Sequence, residues 1–253
     1  MAFDAAAALE DFWQARQRDE FFPAAWFDRL TLDQAYRIQL GLIDRRCAAG
    51  ERQIGWKVGL TAKPIQEQFG FHEPVFGCIL DEVPSGHVFR APELIKPGFE
   101  CELCLRTDKD LSGAISMAQA RAAVVGVHPA LEIIETRGDL SAQIAVAMAD
   151  NAQQKAVVLG APVPLADMRL DQVGCRVEIN GELVVTGSGD AVLGNPLNSV
   201  IWLAGKLADY GRAIRAGDII MTGSFVRQFP LAAGDHVRVA FSGVGVVETR
   251  VGA

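Results

Sequence analysis

Four side chains in this sequence are of the types, and at the spacings, that could do chemistry together. In the run Gly98-Phe99-Glu100-Cys101-Glu102-Leu103-Cys104-Leu105, strand alternation sends successive side chains to opposite faces. Glu100 and Glu102 then share one face, and Cys101, Leu103 and Leu105 share the other. Carboxylates ~6 to 7 Å apart along a strand repel when ionised and protonate more readily when buried, unless a cation lies between them. Taken alone, E-x-E is also the ordinary signature of the solvated face of an antiparallel sheet. A second strand-like run, His128-Pro129-Ala130-Leu131-Glu132-Ile133-Ile134, shifts the balance, because Glu132 stands between apolar neighbours and would be costly to bury without a partner. Three carboxylate ligands with no His or Cys in register suit a hard divalent cation that keeps positions open for water or substrate. Magnesium or manganese fits that donor set better than zinc.

The fourth group is Lys57. Alternation along Ile54-Gly55-Trp56-Lys57-Val58-Gly59-Leu60-Thr61 puts Ile54, Trp56, Val58 and Leu60 on one face and Lys57 on the other, between Gly55 and Gly59. Glycine inside a strand weakens it and often marks the close approach of a ligand or another backbone. The alternative on these residues alone is a surface lysine of an edge strand, since lysine is rarely buried unpaired. Cys101-x-x-Cys104 does not make a zinc or thioredoxin-like site, because strand positions three apart point to opposite faces. Gly187-Ser188-Gly189 fits neither the dinucleotide fingerprint nor a phosphate loop.

The elements that must position these groups are legible in outline. Residues 5 to 18 have an apolar helical stripe of Leu9, Phe12 and Trp13. Thr31-Leu32-Asp33-Gln34 has the form of a capping box ahead of a helix that Gly50 ends. A short helix is expected over 62 to 69, a turn at Glu73-Pro74-Val75-Phe76-Gly77, and an alanine-rich helix over 116 to 125. Asn180-Gly181 joins two strands as a hairpin. Asn195 and Pro196 open a helix that runs to Leu207, and strands cover 218 to 222, 236 to 241 and 244 to 250. Helices gathered at the start and strands dominating the rest predict an α+β fold with a mixed or antiparallel sheet. The expected division is a helical N-terminal cap, 1–52, and a catalytic mixed-sheet domain, 53–253.

The net charge of −7 and the lack of any Lys/Arg-rich stretch argue against a nucleic-acid partner and leave small molecules as the expected ones. The N-terminus lacks the basic region of a secretory signal, no window approaches ~18 apolar residues, and five dispersed cysteines make no disulfide framework. A cytoplasmic protein is expected, with no membrane association.

Taken as a set, G-W-K-V-G-L-T at 55 to 61, E-x-E at 100 to 102, P-A-L-E at 129 to 132, A-D-N at 149 to 151 and L-G-N-P at 193 to 196 resemble a known family. It is that of the 2-oxopent-4-enoate (2-hydroxypenta-2,4-dienoate) hydratases and 4-oxalocrotonate decarboxylases, within the fumarylacetoacetate hydrolase superfamily. The resemblance implies a rolled mixed sheet of that superfamily's C-terminal-domain type, a metal-dependent lyase of meta-cleavage aromatic catabolism, and a homo-oligomer, in some cases complexed with a pathway aldolase or sister lyase. Carried over by position, Glu100, Glu102 and Glu132 match the family's metal ligands, with Mg²⁺ or Mn²⁺ as cofactor. Lys57 matches its active-site lysine, and Leu60, Val75, Ser224 and Arg227 fall at substrate-binding positions. The ion would activate the 2-oxo acid as a Lewis acid, and Lys57, its pKa lowered beside the cation, would carry protons.

Two departures bear on the reaction. Pro74-Val75-Phe76-Gly77 has valine where the hydratases carry an acid, as the decarboxylases do, and 134–148 lacks the aspartate the hydratases carry shortly before A-D-N. Thr222-Gly223-Ser224-Phe225-Val226-Arg227 resembles a stretch of the heptenedioate hydratases, which points Arg227 toward a second substrate carboxylate. The leading expectation is hydration of 2-hydroxypenta-2,4-dienoate to 4-hydroxy-2-oxopentanoate. The alternatives are decarboxylation of 4-oxalocrotonate (2-oxohex-3-enedioate), hydration of a 2-oxohept-enedioate, and a non-catalytic partner subunit. A C–C hydrolase or oxaloacetate-type enzyme of the wider superfamily is disfavoured by the lysine of G-W-K-V-G-L-T.

Overall fold

A computed structural model describes residues 3–68 and 70–253. The helices are α1 (Ala5–Gln17), α2 (Leu32–Ala48), α3 (Lys63–Gln68), α4 (Met117–Ala123), α5 (Ile144–Ala149) and α6 (Leu197–Ala208). The strands, in chain order, are β1 (Gly55–Gly59), β2 (Val75–Ile79), β3 (Glu82–Pro84), β4 (Val88–Arg90), β5 (Pro97–Thr107), β6 (Val124–Glu135), β7 (Gln154–Leu159), β8 (Gly174–Ile179), β9 (Glu182–Ser188), β10 (Ile219–Ser224), β11 (Phe229–Pro230), β12 (His236–Phe241) and β13 (Gly245–Gly252). Phe69, the expected last residue of the helix over 62–69, lies outside the described residues, as do Met1 and Ala2.

An eight-stranded mixed sheet has the order β2-β1-β10-β5-β6-β7-β3, with β11 on β5, and a five-stranded sheet has the order β4-β13-β12-β8-β9. The long antiparallel pair β5–β6 is the centre of the larger sheet, with register running from Pro97↔Glu135 to Thr107↔Val124. Cross-strand partners share a face, so the registers sort every side chain of this sheet onto one of two sides. One side carries Trp56, Val58, Phe76, Leu103, Leu131, Ile133 and Val158, all part of the main core with the helices and the second sheet. The other side carries the glutamates and Lys57, followed toward one end by a small apolar cluster of Ile79, Cys104, Ala130, Val157, Ile219 and Met221. The sheet is therefore rolled with the second side inward, and that cluster closes one end of the roll. Cys101 and Cys104 fall in different clusters, as alternation requires.

Local expectations are met where a short motif has one physical solution. Thr31 and Gln34 form the reciprocal capping box of α2, and the Asn195 side chain accepts from Leu197 N at 2.9 Å ahead of α6. Asn180 (φ 55°) and Gly181 (φ 84°) make the tight turn between β8 and β9. The expectation of a turn over 73–77 is corrected: Val75–Ile79 is a fully buried strand, antiparallel to β1. Pro74 and Gly77 read as turn residues, but Gly77 is there for close packing, with Lys57 as its cross-strand partner. Tyr36 of α2 stacks on Phe76 at 4.1 Å, which ties the N-terminal helices to that strand. Among the described residues no helix is long and apolar enough to cross a membrane.

The two glycines flanking Lys57 have different reasons to be there. A Cβ on Gly55 would lie 1.9 Å from the Ile219 carbonyl oxygen of the parallel neighbour β10, whereas one on Gly59 would make ordinary 3.4 Å contacts with Lys57 Nζ and Val75 Cγ2. We expect Gly55→Ala to cost on the order of 2–3 kcal/mol through overpacking and Gly59→Ala less than about 1 kcal/mol, read from urea midpoints. Equal midpoints for the two variants would contradict the close packing of β1 on β10.

Candidate active site

The three glutamates meet because of register. Glu100 on β5 is the direct partner of Glu132 on β6, and Glu102, two residues along, faces Ala130. All three side chains therefore project to the same inward side, where one ligand oxygen from each lies within 4.8 Å of the others. Glu102 and Glu132 are completely buried, and Glu100 is half-buried at the base of an open cleft. The solvated-face alternative for E-x-E is thus excluded. A bulge in β10 between Met221 and Ser224 turns the Gly223 N–H inward to donate to Glu102 Oε2 at 2.8 Å. Gly223 has φ 113°, and a Cβ there would strike Thr61 Oγ1 at 2.5 Å, so only glycine fits.

Burial disfavours the ionised form of every member of this cluster, and the mutual repulsion adds to it. Desolvation, then the charges of Glu132 and Glu100, push the Glu102 carboxyl well above the usual carboxylate range. Desolvation raises Glu100 as well, against the pull of Lys57, and raises Glu132 to about 7. Lys57, 6 % exposed, places Nζ 3.4 Å from Glu132 Oε1. Strands β1 and β6 are three steps apart in the sheet, or roughly 14 Å along a flat one, so this contact exists because the sheet is rolled and the lysine side chain is long. Burial opposes the ammonium charge, but Glu132, Glu100 and Glu102 together outweigh burial and hold the Lys57 pKa above its ordinary value. The glutamates are the charges that Lys57 meets here; the lowered pKa expected for it is one that a cation bound among them would set.

The residues fit a hard cation on an observation independent of any resemblance. Glu102 Oε1 and both carboxylate oxygens of Glu132 are buried without a hydrogen-bond partner. One ammonium at 3.4 Å does not satisfy three clustered carboxylates. Unpaired buried anions are among the costliest arrangements in a protein, and an all-oxygen donor set with one side open to a cleft is the environment that Mg²⁺ or Mn²⁺ requires.

The cleft above the cluster has a volume of about 630 Å³, and Lys57, Leu60, Val75 and Glu100 are among its lining residues. An adjoining hollow of about 310 Å³ is lined by Leu60, Glu100, Ser224 and Arg227. The structure therefore brings all eight expected residues to one place, six at the cleft or hollow and Glu102 and Glu132 beneath them. Arg227 is exposed at the rim. Its guanidinium lies over the Phe229 ring at 4.0 Å and donates to the neighbouring Gln228 carbonyl at 3.3 Å. Among the described residues no carboxylate pairs with it.

Two parts of the site were not foreseen. The loop 136–141 forms one wall and brings into the cleft Asp139, an aspartate that the stretch 134–148 does carry, ten positions ahead of Ala149. Asp139 accepts from Ser141 Oγ at 2.7 Å and from the Ser141 and Ala142 amides, bonds that lower its pKa. The other part is the turn Asn151–Gln153, whose residues have φ 56°, 50° and 60°, left-handed values in three successive non-glycine residues. Each costs roughly 1–2 kcal/mol, and Ala152 and Gln153 line the cleft. Nothing short of the fold signals this; Asn151 tolerates such a φ, but alanine and glutamine do not advertise it.

Without a cation, the folded chain carries carboxyls with pKa values raised above their unfolded value of about 4.3, Glu132 at about 7. The folded state then binds more protons than the unfolded state over this interval, so unfolding free energy falls as pH rises. We expect metal-free protein to be more stable at pH 6 than at pH 8, the gain being lost as pH rises through about 7. Because Mg²⁺ needs ionised ligands, its stabilisation should be larger at pH 8. Calorimetric Tm values at both pH values, with chelator and with Mg²⁺, check this; a larger Mg²⁺ shift at pH 6 would contradict it.

Comparison with known proteins agrees with this geometry. Residues 76–252 match the family described as fumarylacetoacetate (FAA) hydrolase C-terminal. The chain is 35 % identical over 223 residues to a 2-hydroxyhexa-2,4-dienoate hydratase of Comamonas testosteroni, covering 85 % of this chain and 84 % of that protein. It is 35 % identical over 226 residues to a 4-oxalocrotonate decarboxylase of a Pseudomonas species, covering 87 % and 86 %. Among solved structures, the 4-oxalocrotonate decarboxylase of Pseudomonas putida G7 complexed with magnesium and adipate superposes with a TM-score of 0.93 at 31 % identity, over 99 % of both chains. The rolled α+β fold expected from the sequence is the one observed, and the chain belongs to the fumarylacetoacetate hydrolase C-terminal family.

Proposed function

We propose that this chain is a divalent-metal lyase that hydrates a 2-hydroxy-dienoate, converting 2-hydroxypenta-2,4-dienoate to 4-hydroxy-2-oxopentanoate. The observation that carries the reading is the buried Glu100–Glu102–Glu132 cluster with Lys57 beside it at the floor of a cleft. The hydratase and decarboxylase names of relatives at about 35 % identity support it, as does the magnesium complex of the structural neighbour. Bound Mg²⁺ or Mn²⁺ supplies Lewis-acid polarisation of the substrate carboxylate and 2-oxygen. The chain's own part is to hold that cation with three carboxylates, two of them sealed from water, and to move protons. Taking the proton of the 2-hydroxyl and delivering one to C5 gives the 2-oxo-3-enoate; adding water as hydroxide at C4 and a proton at C3 completes hydration. Lys57 Nζ is the proton carrier in this reading, and Leu60, Val75, Ser224 and Arg227 surround the substrate.

Decarboxylation of 2-oxohex-3-enedioate is the second reading, favoured by Val75. This residue is 2 % exposed and lines the cleft with Lys57, both of them next to Gly59, so the wall there is apolar where the hydratases carry an acid. The two readings separate by products: Mg²⁺-loaded protein is given each substrate and followed by NMR. We expect water gain on the dienoate; loss of carbon dioxide from the dioate with no hydration would overturn the assignment in favour of the second reading. Chelation should abolish turnover, with Mg²⁺ or Mn²⁺ restoring it. Lys57→Met should keep metal binding and lose roughly 10²- to 10⁴-fold in turnover; a near wild-type rate would remove Lys57 as proton carrier.

Arg227, at the rim and with no carboxylate partner among the described residues, suits the second carboxylate of a dioate. Arg227→Leu should raise KM for a 2-oxo-dioate by about 2 kcal/mol in binding and leave KM for 2-hydroxypenta-2,4-dienoate nearly unchanged. Equal effects on both would take it out of substrate selection. We further propose a cytoplasmic homo-oligomer with residues 1–52 as a cap, working beside a pathway aldolase or sister lyase. The exposed Leu183 and Val184 on the free edge of β9 support self-association.

A further inference from the structure

Lys57 depends on more than its own strand. Its cross-strand partner is Gly77 on β2, and a Cβ at Gly77 would be caught between two groups: Lys57 Cε at 3.3 Å on one side, and Asn151 O and Oδ1 at 3.2 and 3.3 Å on the other. Gly77 is thus the one layer between the lysine stem and Asn151. Strand β2 is the end strand of its sheet, and the Asn151 carboxamide takes the place of a further strand there. Its Oδ1 accepts from Cys78 N at 2.7 Å and its Nδ2 donates to Cys78 O at 2.8 Å. Two residues on, Gln153 reaches the opposite wall of the cleft: its Oε1 accepts from Arg137 N at 3.3 Å and its Nε2 donates to Gly138 O at 3.4 Å. The turn that carries these two side chains to the two walls is left-handed at all three residues.

We propose that the turn Asn151–Gln153 is a positioning element, in which Asn151 fixes β2 and, through Gly77, the placement of Lys57 Nζ, while Gln153 holds the facing loop at its distance. This rests on the reading of Lys57 as proton carrier. Strained backbone persists only where its surroundings over-determine it, and it gathers at functional sites. Here four side-chain hydrogen bonds over-determine it. Asn151 touches neither the carboxylates nor the cleft; it acts by limiting where the lysine stem can lie. A proton carrier displaced by about 1 Å loses much of its rate, while a substrate bound elsewhere keeps its affinity.

Asn151→Gly tests this, since glycine accepts the left-handed backbone and deletes only the carboxamide. The variant is made in wild-type and in Lys57→Met protein, and kcat and KM on 2-hydroxypenta-2,4-dienoate and the Mg²⁺ Kd are measured for all four proteins. We expect kcat to fall roughly 10- to 100-fold in the wild-type background, KM and Mg²⁺ Kd to stay within about threefold, and the kcat loss to vanish when Lys57 is already absent. The same fold-loss in both backgrounds, or no loss in wild type, overturns the proposal. If Asn151→Gly does not fold, Gly77→Ala presses on Lys57 Cε from the same side and must show the same background-dependent loss, or the proposal fails. A Lys57→Met protein with wild-type turnover would instead overturn the reading of Lys57, an outcome distinct from additive losses.

Discussion

Electrostatic repulsion inside the rolled sheet is the constraint on which the rest of this structure depends. Three carboxyls share the inward side of β5 and β6, and direct pairing of Glu100 with Glu132 leaves them no way to separate. Desolvation and like charge both oppose ionisation, and among the described residues Lys57 is the cation that answers them at close range. One ammonium against three carboxyls leaves a deficit that protons fill in the metal-free chain and that a divalent cation is suited to fill in their place. The Gly223 amide stabilises one oxygen of Glu102 and leaves the other aimed at its neighbours.

The same sheet explains why the cluster is sealed below and open above. Moving along β5 from Glu100 to Glu102 to Cys104, the inward side passes from half-exposed acid to buried acid to apolar plug. The outward side opposite the cluster, Phe99, Cys101, Leu103 and Leu105 with Leu131 and Ile133, is apolar and covered by helices and the second sheet, so it cannot turn to water without exposing the core. A one-residue slip of β5 would exchange Glu100 and Glu102 with Cys101 and Leu103. The hydrophobic face therefore holds the carboxylates in register, and the placement of the charged site follows from apolar packing.

This also decides what was legible in the sequence. Alternation alone placed Glu100 with Glu102 and set Cys101 apart from Cys104, because a period of two is a local property. The Thr31–Gln34 capping box, the Asn180-Gly181 hairpin and the isolation of Glu132 are local as well. Pairing is not, so neither the opposition of Glu100 and Glu132 nor the Lys57–Glu132 contact could be read. Glu73 to Gly77 reads as a turn because Pro74 and Gly77 carry turn chemistry in isolation, whereas Gly77 belongs to strand Val75–Ile79 and answers to a lysine on the next strand. The charges that set the Lys57 pKa are not legible for a related reason: three of them arrive from positions 43 or more residues away along the chain.

The floor of this site does not by itself choose between adding water and losing carbon dioxide. Both reactions begin from a 2-oxygen and carboxylate that a cation can hold, and both need a proton moved along the same conjugated chain. The difference lies with the groups above the floor. Hydration needs a polar group to orient water on one side of the chain; decarboxylation needs a distal carboxylate held in a setting that favours its neutral product. Val75 makes one wall apolar, and Asp139 brings a carboxylate to the cleft from loop 136–141. Arg227 stands at the rim of the hollow that shares Leu60 and Glu100 with the cleft. In the proposed hydratase, water orientation therefore falls to the cation, Lys57 or a polar group of the other walls such as Asp139, and not to the β2 wall. Asp139 accepts hydrogen bonds from Ser141 and Ala142, which lower its pKa and fix the direction of its carboxylate.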